Sequence, residues 1–231
     1  MILLVFSMIV FAQEKTFQLL YDYHQKGELA AEVKKRNPAH INEMAEEALN
    51  KSFEVELLVN HNYSLVKVLP RVSNNQSGNY LEILPEPSWL LIDFNKEEYY
   101  HQIHDLFVKG SIEEFKFSPT KNKKIILGLE AKEFKFEDEN KSHSIWLTKQ
   151  SDLAASPSFI QPKGYLVMLY HVFYKDMAVK GGHREFTYQL KEIKETKLTD
   201  LSKQIPKKSI SKKEFDEHMK RLMENEEIDK D

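Results

Sequence analysis

Cysteine is absent from this chain of 231 residues. That removes disulfides, thiolate nucleophiles, Cys-ligated zinc and iron–sulfur clusters, and also the cysteine to which a bacterial lipoprotein attaches its lipid. Glycine and proline are scarce, at 7 and 8 residues, which argues against collagen-like or Gly-rich repeats. Neither sign of charge is in excess: 33 Lys and Arg stand against 36 Asp and Glu, for a net charge of −3. Such a balance provides no electrostatic basis for holding nucleic acid. The spacings G-x-S-x-G, H-E-x-x-H, G-x-x-x-x-G-K-[ST] and G-x-G-x-x-G do not occur, so the nucleophile elbow, the zinc-protease helix and both phosphate-cradling loops are missing.

What the chain does hold is apolar and aromatic. Hydrophobic residues make up 41%, aromatics 11%, with 14 Phe and 10 Tyr. That suffices for a real core, and β-rich folds commonly use this length as one domain. The longest apolar run at the start, Met1–Ala12 (MILLVFSMIVFA), is shorter than the ~20 residues that span a bilayer as a helix. It fits the apolar stretch of a secretory signal, with Val10 and Ala12 as small residues before a cut at Gln13. No Lys or Arg precedes it; the competing reading is a first strand tucked into the core. The division that follows is a signal peptide over 1–12, an antiparallel β domain over 13–196, and a charged linker with a C-terminal helix over 197–231.

Alternation at period two runs through most of the middle segment. Phe17, Leu19, Tyr21 and Tyr23 share one face of a strand over Thr16–Gln25. The charged run Glu32–Arg36 breaks that pattern. Pro38 opens a short helix carrying Ile41, Met44, Ala45, Ala48 and Leu49 at helical spacing. Phe53–Val59 and Tyr63–Leu69 form a hairpin about His61–Asn62. Arg71–Asn79 reads as a turn-rich loop, followed by a short strand at Tyr80–Leu84. Trp89–Phe94 is apolar on both faces and reads as an interior strand. Glu97–Phe107 answers it as one strand with Tyr99, His101 and Ile103 on a face, and Ile112–Phe117 is a short edge. Lys123–Lys149 reads as one long strand, a polar turn at Glu139–Ser142, and a return strand bearing Trp146. Ile125, Leu127, Leu129 and Ala131 point inward, then Phe134 and Phe136 change parity, which predicts a bulge near Ala131–Glu133. Gly128 fits a close approach or a strong twist. Ser151–Gly164 is loop. Tyr165–Tyr174 (YLVMLYHVFY) reads as a strand buried on both faces, and Phe186, Tyr188, Leu190 and Ile193 alternate in the next, after a turn at Gly181–Gly182.

The tail differs in charge. Lys197–Lys213 holds six Lys against one Asp, and Glu214–Asp231 eight acidic against three basic residues. Ser211 and Glu214 match a capping box, with Ile210 and Phe215 as its hydrophobic staple. Phe215, Met219, Leu222 and Met223 then line one face of a helix that packs on the sheet or captures a partner.

Candidate chemistry is thin. His101 and His104, with Asp105, are the densest set of potential metal ligands, yet residues three apart on a strand point to opposite faces. No metal site, cofactor or catalytic residue is assigned. His171 reads as a hydrogen-bonded core histidine rather than a base. Asn-x-Ser triplets at Asn50, Asn62, Asn75 and Asn140 read as coincidence in a polar surface. Trp89, Tyr99, Trp146, Tyr165 and Tyr170 could line a groove for an apolar ligand, against the plainer reading that they fill the core.

Lys124, Ile125, Ile126, Leu127 and Gly128, the alternating strand after them, and Trp146, Leu147 and Thr148 together resemble the GLPGLI-type exported proteins of Gram-negative bacteria. The ending Ala12–Gln13 and the strand closing on Tyr21 and Tyr23 are similar to that family's beginning. Pro157–Val167 (PSFIQPKGYLV) lacks the motif that names the family, so the likeness is to a divergent relative. The resemblance implies an antiparallel sheet, curved like the periplasmic lipoprotein carriers, an exported location in the periplasm or outer envelope, and no established activity.

The expectation is therefore a mainly β (α+β) protein of about ten strands, one large antiparallel sheet in half-barrel form, with a short helix after the first strand and a C-terminal helix. The leading function is a non-enzymatic envelope protein binding a partner protein or an apolar ligand on its sheet, with no nucleic acid and no transmembrane segment once the signal is removed. The alternatives are a periplasmic hydrolase, in which His171 or His101 meets a Ser or carboxylate in a concave pocket, and a structural module docking through the C-terminal helix.

Overall fold

A computed structural model describes residues 15–69, 87–112, 116–137, 141–150, 153–174, 182–197 and 199–228, with side chains in the last helix as far as Arg221. The signal stretch, the 71–84 loop and strand, residues 113–115 of the expected Ile112–Phe117 edge, residues 139–140 of the Glu139–Ser142 turn, Gly181 and the side chains of Leu222 and Met223 lie outside the described residues.

Twelve strands form one open, essentially antiparallel sheet that does not close into a barrel. They are β1 (Thr16–Glu28), β2 (Lys51–Val59), β3 (Tyr63–Val68), β4 (Trp89–Asp93), β5 (Glu98–Ile103), β6 (Leu106–Ser111), β7 (Ser118–Ile126), β8 (Leu129–Glu137), β9 (Lys141–Lys149), β10 (Tyr165–Tyr174), β11 (His183–Thr196) and β12 (Ile210–Ser211). Helices α1 (Ala31–Arg36) and α2 (Ala39–Leu49) lie between β1 and β2, and α3 (Lys212–Ile228) follows β12. The spatial order is β12-β6-β5-β4-β3-β2-β1-β11-β10-β9-β8-β7. Only the β12–β6 pair is parallel among them. The long strand β1 sits near the middle, bonded to β2 on one side and to β11 on the other.

The sheet curves. Six strand-to-strand steps separate β5 from β10, which on a flat sheet would be roughly 29 Å. Yet the Phe159 ring, on the segment leading into β10, lies 5.2 Å from the Tyr99 ring of β5 and 4.9 Å from that of His101. Lys163 bonds Glu97 at 2.7 Å across the same gap. One continuous core fills the concave side, from Leu90 and Ile92 of β4 through Leu57, Tyr21, Leu190 and Met168 to Ile145 of β9. A smaller cluster sits on the outer side, where Leu65, Leu91 and Tyr100 are covered by Leu201. Leu201 belongs to a 3-10 turn (Leu201–Gln204) in a strap that crosses the outer face from the end of β11 to β12 at the far edge.

Several sequence expectations need correcting. Lys123–Lys149 is not one long strand and its return: the chain reverses at Leu127–Gly128, so β7, β8 and β9 are three strands. Both turn residues have positive φ, 51° and 78°, as a two-residue hairpin turn of the I′ kind requires. Gly128 supplies that conformation and nothing approaches it within 4 Å. Ile125 and Leu127, read as inward, are 68% and 50% exposed. The bulge lies across the ladder from its expected place, in β7, where Thr120–Asn122 together face Glu133. Because leucine adopts positive φ at a cost of about 1 kcal/mol while asparagine does so readily, Leu127→Asn should raise stability by about 0.5–1 kcal/mol, read as a higher melting temperature.

Glu97–Phe107 is likewise two strands, β5 and β6, which turn at His104–Asp105 with His104 at φ 53°. The Glu32–Arg36 run, read as a break, is the helix α1. Pro38 stands just before α2 as its cap rather than inside its first turn, and α2 buries no residue, leaving Ile41 and Met44 exposed. The 153–164 connection is a loop as expected, but a buried one: Leu153, Ala155, Ser156, Ser158 and Ile160 are buried and Ala155 pairs with Leu166. β10 spans the expected residues, but only Leu166–Met168 are buried on successive faces; beyond Met168 inward burial alternates with half-exposed positions. The parity change from Leu190 to Ile193 is physical: a bulge places Lys191 as an extra residue opposite Leu20–Tyr21.

Candidate functional site

Six consecutive strands, from β8 to β2, each contribute an aromatic or imidazole ring to one row on the concave side. Phe136 of β8 stacks on His143 of β9 at 3.8 Å. His143 lies parallel to Tyr170 of β10, Tyr170 to Tyr188 of β11, and Tyr188 packs on Tyr23 of β1 at 4.7 Å. Tyr23 reaches Phe53 of β2 at 6.1 Å. The register explains the row: Tyr170 stands opposite Tyr188, Tyr188 opposite Tyr23, and Tyr23 opposite Phe53. Two of its polar groups bond within it or beside it, His143 Nδ1 to the Tyr170 hydroxyl at 2.7 Å and the Tyr23 hydroxyl to Gln25 Oε1 at 3.3 Å. Towards one end of the strands the row passes into the half-exposed rings of Phe186 and Tyr174, edge to face at 5.3 Å.

The five aromatics singled out from the sequence do not line one groove. Tyr99, Tyr165 and Tyr170 belong to the concave core, Tyr99 against Phe159, Tyr165 against Phe134, and Tyr170 within the row. Trp89 faces the outer cluster, its ring edge on Phe107 at 5.2 Å. Trp146 stands by register opposite Glu133 and Leu169 on the outer side, with Lys124 Nζ 4.0 Å from its ring centre. Burial there pushes the Lys124 ammonium below its usual range, which the nearby Glu133 carboxylate partly opposes.

Glu133 is the most elaborately held side chain outside the core. It is 5% exposed and accepts hydrogen bonds from Ser144 Oγ (2.7 Å), Asn122 Nδ2 (2.7 Å) and Thr120 Oγ1 (2.9 Å). Burial alone would raise its pKa, but these three donors and Lys135 outweigh it and hold the carboxyl below the ordinary range. The bulge in β7 exists to bring Thr120 and Asn122 to that carboxylate.

The histidines divide by environment. His101 is 9% exposed on the concave side, and burial pushes its pKa down to about 4, so the imidazole is neutral at pH 7. His104 sits in the following turn, and among the described residues no cluster of three or more His, Asp or Glu is placed to hold a metal ion. His171 is hydrogen-bonded, Nε2 to Glu185 Oε2 at 3.0 Å, but it is a half-exposed residue of the outer face rather than a core histidine. Ser144 stands opposite it in register, yet gives its hydroxyl to Glu133. A shallow, open and polar cleft near the end of β1 is lined by Lys26, Glu28, Lys34, Asn50, His183 and Glu185. At the tail, the capping box is formed, with Ser211 and Glu214 bonded reciprocally at 2.7 and 3.2 Å. Phe215 is half-buried and Met219 is 38% exposed.

The ring row and the Glu133 cradle were not visible in the sequence as sites, because both depend on which strand pairs with which. Only the odd polar placement of Thr120, Asn122 and Glu133 in an otherwise simple ladder hints at the second.

This fold has known counterparts. Two solved structures of PNGF-II, in the C2 and P21 space groups, share it with a TM-score of 0.51 at 14% sequence identity, over 86% of this chain. The chain spans 31% of the length of those proteins. At that identity the likeness establishes a shared fold and nothing about activity. No protein-family model matches the chain, and no curated protein does. Among the described residues no helix is long and apolar enough to cross a membrane, which says nothing of strands.

Proposed function

We propose that this chain is an exported, non-enzymatic protein of a Gram-negative cell envelope, a divergent relative of the GLPGLI-type proteins, that binds a partner or an apolar ligand on the concave side of its sheet. The observation that carries the reading is the ring row, which crosses six strands of a curved, open sheet and runs out into half-exposed Phe186 and Tyr174. From His143 to Phe53 the row is buried core; at its Phe186–Tyr174 end half-exposed aromatic faces offer an apolar surface suited to a flat hydrophobic guest. The Leu153–Ile160 segment lies in the same concavity further along, so the guest's share of it is the Phe186–Tyr174 end.

The test is native mass spectrometry of the full chain recovered from the periplasm of a Gram-negative host. The expected spectrum shows a chain beginning at Gln13 with an apolar adduct, and loss of the adduct in Phe186→Ala. A chain retaining Met1 contradicts cleavage of a signal before Gln13. A bare mass that also fails to take up an added hydrocarbon-chain ligand contradicts ligand binding on the sheet.

A further inference from the structure

The concave face is apolar along most of its length, and at the Phe186–Tyr174 end it carries a cation that nothing in the described chain neutralises. Arg184 stands in register between Gly27 of β1 and Tyr174 of β10, two residues from Phe186 and therefore on the same face. Its guanidinium carbon lies 4.5 Å from the centre of the Phe186 ring. Arg184 Nη2 donates to Gln25 Oε1 at 2.8 Å, and Gln25 is itself 2% exposed and anchored through its own Nε2 to the Ala48 carbonyl at the end of α2. Arg184 Nε is buried and makes no hydrogen bond. A neutral amide and a helix's carbonyl end orient this guanidinium, and no described carboxylate pairs with it.

Two further cations share that end. Lys51 of β2 stands opposite Gln25, and Lys141 of β9 stands opposite Tyr174 with its Nζ 5.0 Å from the ring. Arg184 is only partly buried, and its rigid guanidinium fork is suited to a two-oxygen acceptor. The rings of Phe186 and Tyr174 adjoin it.

We propose that Arg184 recognises the anionic head of an amphiphile, a carboxylate or phosphate carried on an apolar body that lies along the Phe186–Tyr174 end of the ring row. This rests on the concave-face binding proposed above and adds the charge of the guest. Lys51 adds positive charge at that end, and Gln25 positions the guanidinium.

Calorimetric titration of the full chain with dodecanoate, dodecyl phosphate, dodecanol and inorganic phosphate tests it. The expected result is that at least one charged amphiphile binds about tenfold or more tightly than dodecanol, that inorganic phosphate alone binds far more weakly, and that Arg184→Gln erases the preference. The anionic arm that binds tighter tells a carboxylate head from a phosphate one. Equal binding of dodecanol and both charged amphiphiles overturns the role of Arg184 while leaving an apolar-ligand site standing. Inorganic phosphate binding as tightly as dodecyl phosphate also overturns it, in favour of a free-anion site. If none of the three long-chain probes binds, both readings fall. The wild-type comparison needs no variant, so a poorly folding Arg184→Gln does not shelter the proposal; circular dichroism checks that variant's fold.

Discussion

Replacing Tyr21 by phenylalanine is expected to lower the unfolding free energy by about 2 kcal/mol, and replacing it by alanine by about 5 kcal/mol. Tyr21 is fully buried at the centre of the concave core. Its hydroxyl donates to the Val167 carbonyl at 2.7 Å, a residue of β10, so the bond spans β11 and ties two strands that are not neighbours. The β10 ladder is irregular between Val167 and Leu169, which leaves that carbonyl facing the core, where Tyr21 meets it. Phenylalanine keeps the packing and strands a carbonyl in a dry interior. Alanine adds a cavity the size of a ring, and close-packed neighbours fill it only in part. Burial pushes the phenol well above its usual range, so the hydroxyl stays protonated at any pH where the protein folds. Chemical denaturation of the two variants reads both numbers. A loss below about 0.5 kcal/mol for phenylalanine would mean that the bond contributes nothing.

Glu133→Ala is expected to cost about 3 kcal/mol, and acid should reveal the same carboxylate in the wild type. Three donors from β7 and β9 converge on Glu133, and removing it takes away the acceptor they share, opposite Trp146 in register. Because the folded protein holds this carboxyl below its ordinary value, the stabilisation is complete above about pH 4.5 and is lost as pH falls through the folded value. His101 acts in a separate, higher window. Its folded pKa is depressed to about 4 from 6.5, so below pH 6.5 the unfolded chain takes up a proton that the folded chain refuses. That contribution is complete above pH 6.5 and declines, by roughly 2–3 kcal/mol in all, as pH falls to about 4. A stability-versus-pH curve should thus fall in two stages, the upper abolished by His101→Phe and the lower reduced by Glu133→Gln. A wild-type curve that is flat between pH 6.5 and 4 contradicts the burial of His101.

How far the fold could be read from the sequence depends on how local its cause is. Alternation located β2 and β3 about their turn, and continuous apolar runs located the interior strand β4 and, residue for residue, β10, because both patterns are written in neighbouring positions. The capping box at Ser211 and Glu214 was legible for the same reason. The reversal at Leu127–Gly128 was not, because a leucine occupies the turn position where asparagine would announce it, and the apolar Ile125 beside it continues the alternation while facing solvent. His104 hid the β5–β6 turn in a similar way. The Leu153–Ile160 segment has no periodicity to read: its Leu, Ala and Ile are buried by passing across the concavity and not by belonging to a ladder. The site was less legible still. Tyr23, Tyr188 and Phe53 are each unremarkable alternating residues until pairing sets them side by side. Trp89 and Trp146, the most conspicuous aromatics in the sequence, face the other way.

Curvature is the property on which the concave binding surface depends, and a chain without cysteine allows it to be tested with native side chains. Zero-length carbodiimide coupling joins an amine to a carboxylate only when the two are in contact. Lys109–Glu98 at 2.8 Å and Lys191–Glu54 at 3.0 Å need no bend to meet, whereas Lys163–Glu97 at 2.7 Å meets only if the sheet bends through six strands. Coupling of the monomer followed by peptide mass mapping should recover all three linked pairs. Recovery of the two local links without Glu97–Lys163 would describe a flat sheet, with no concave face for any guest to occupy.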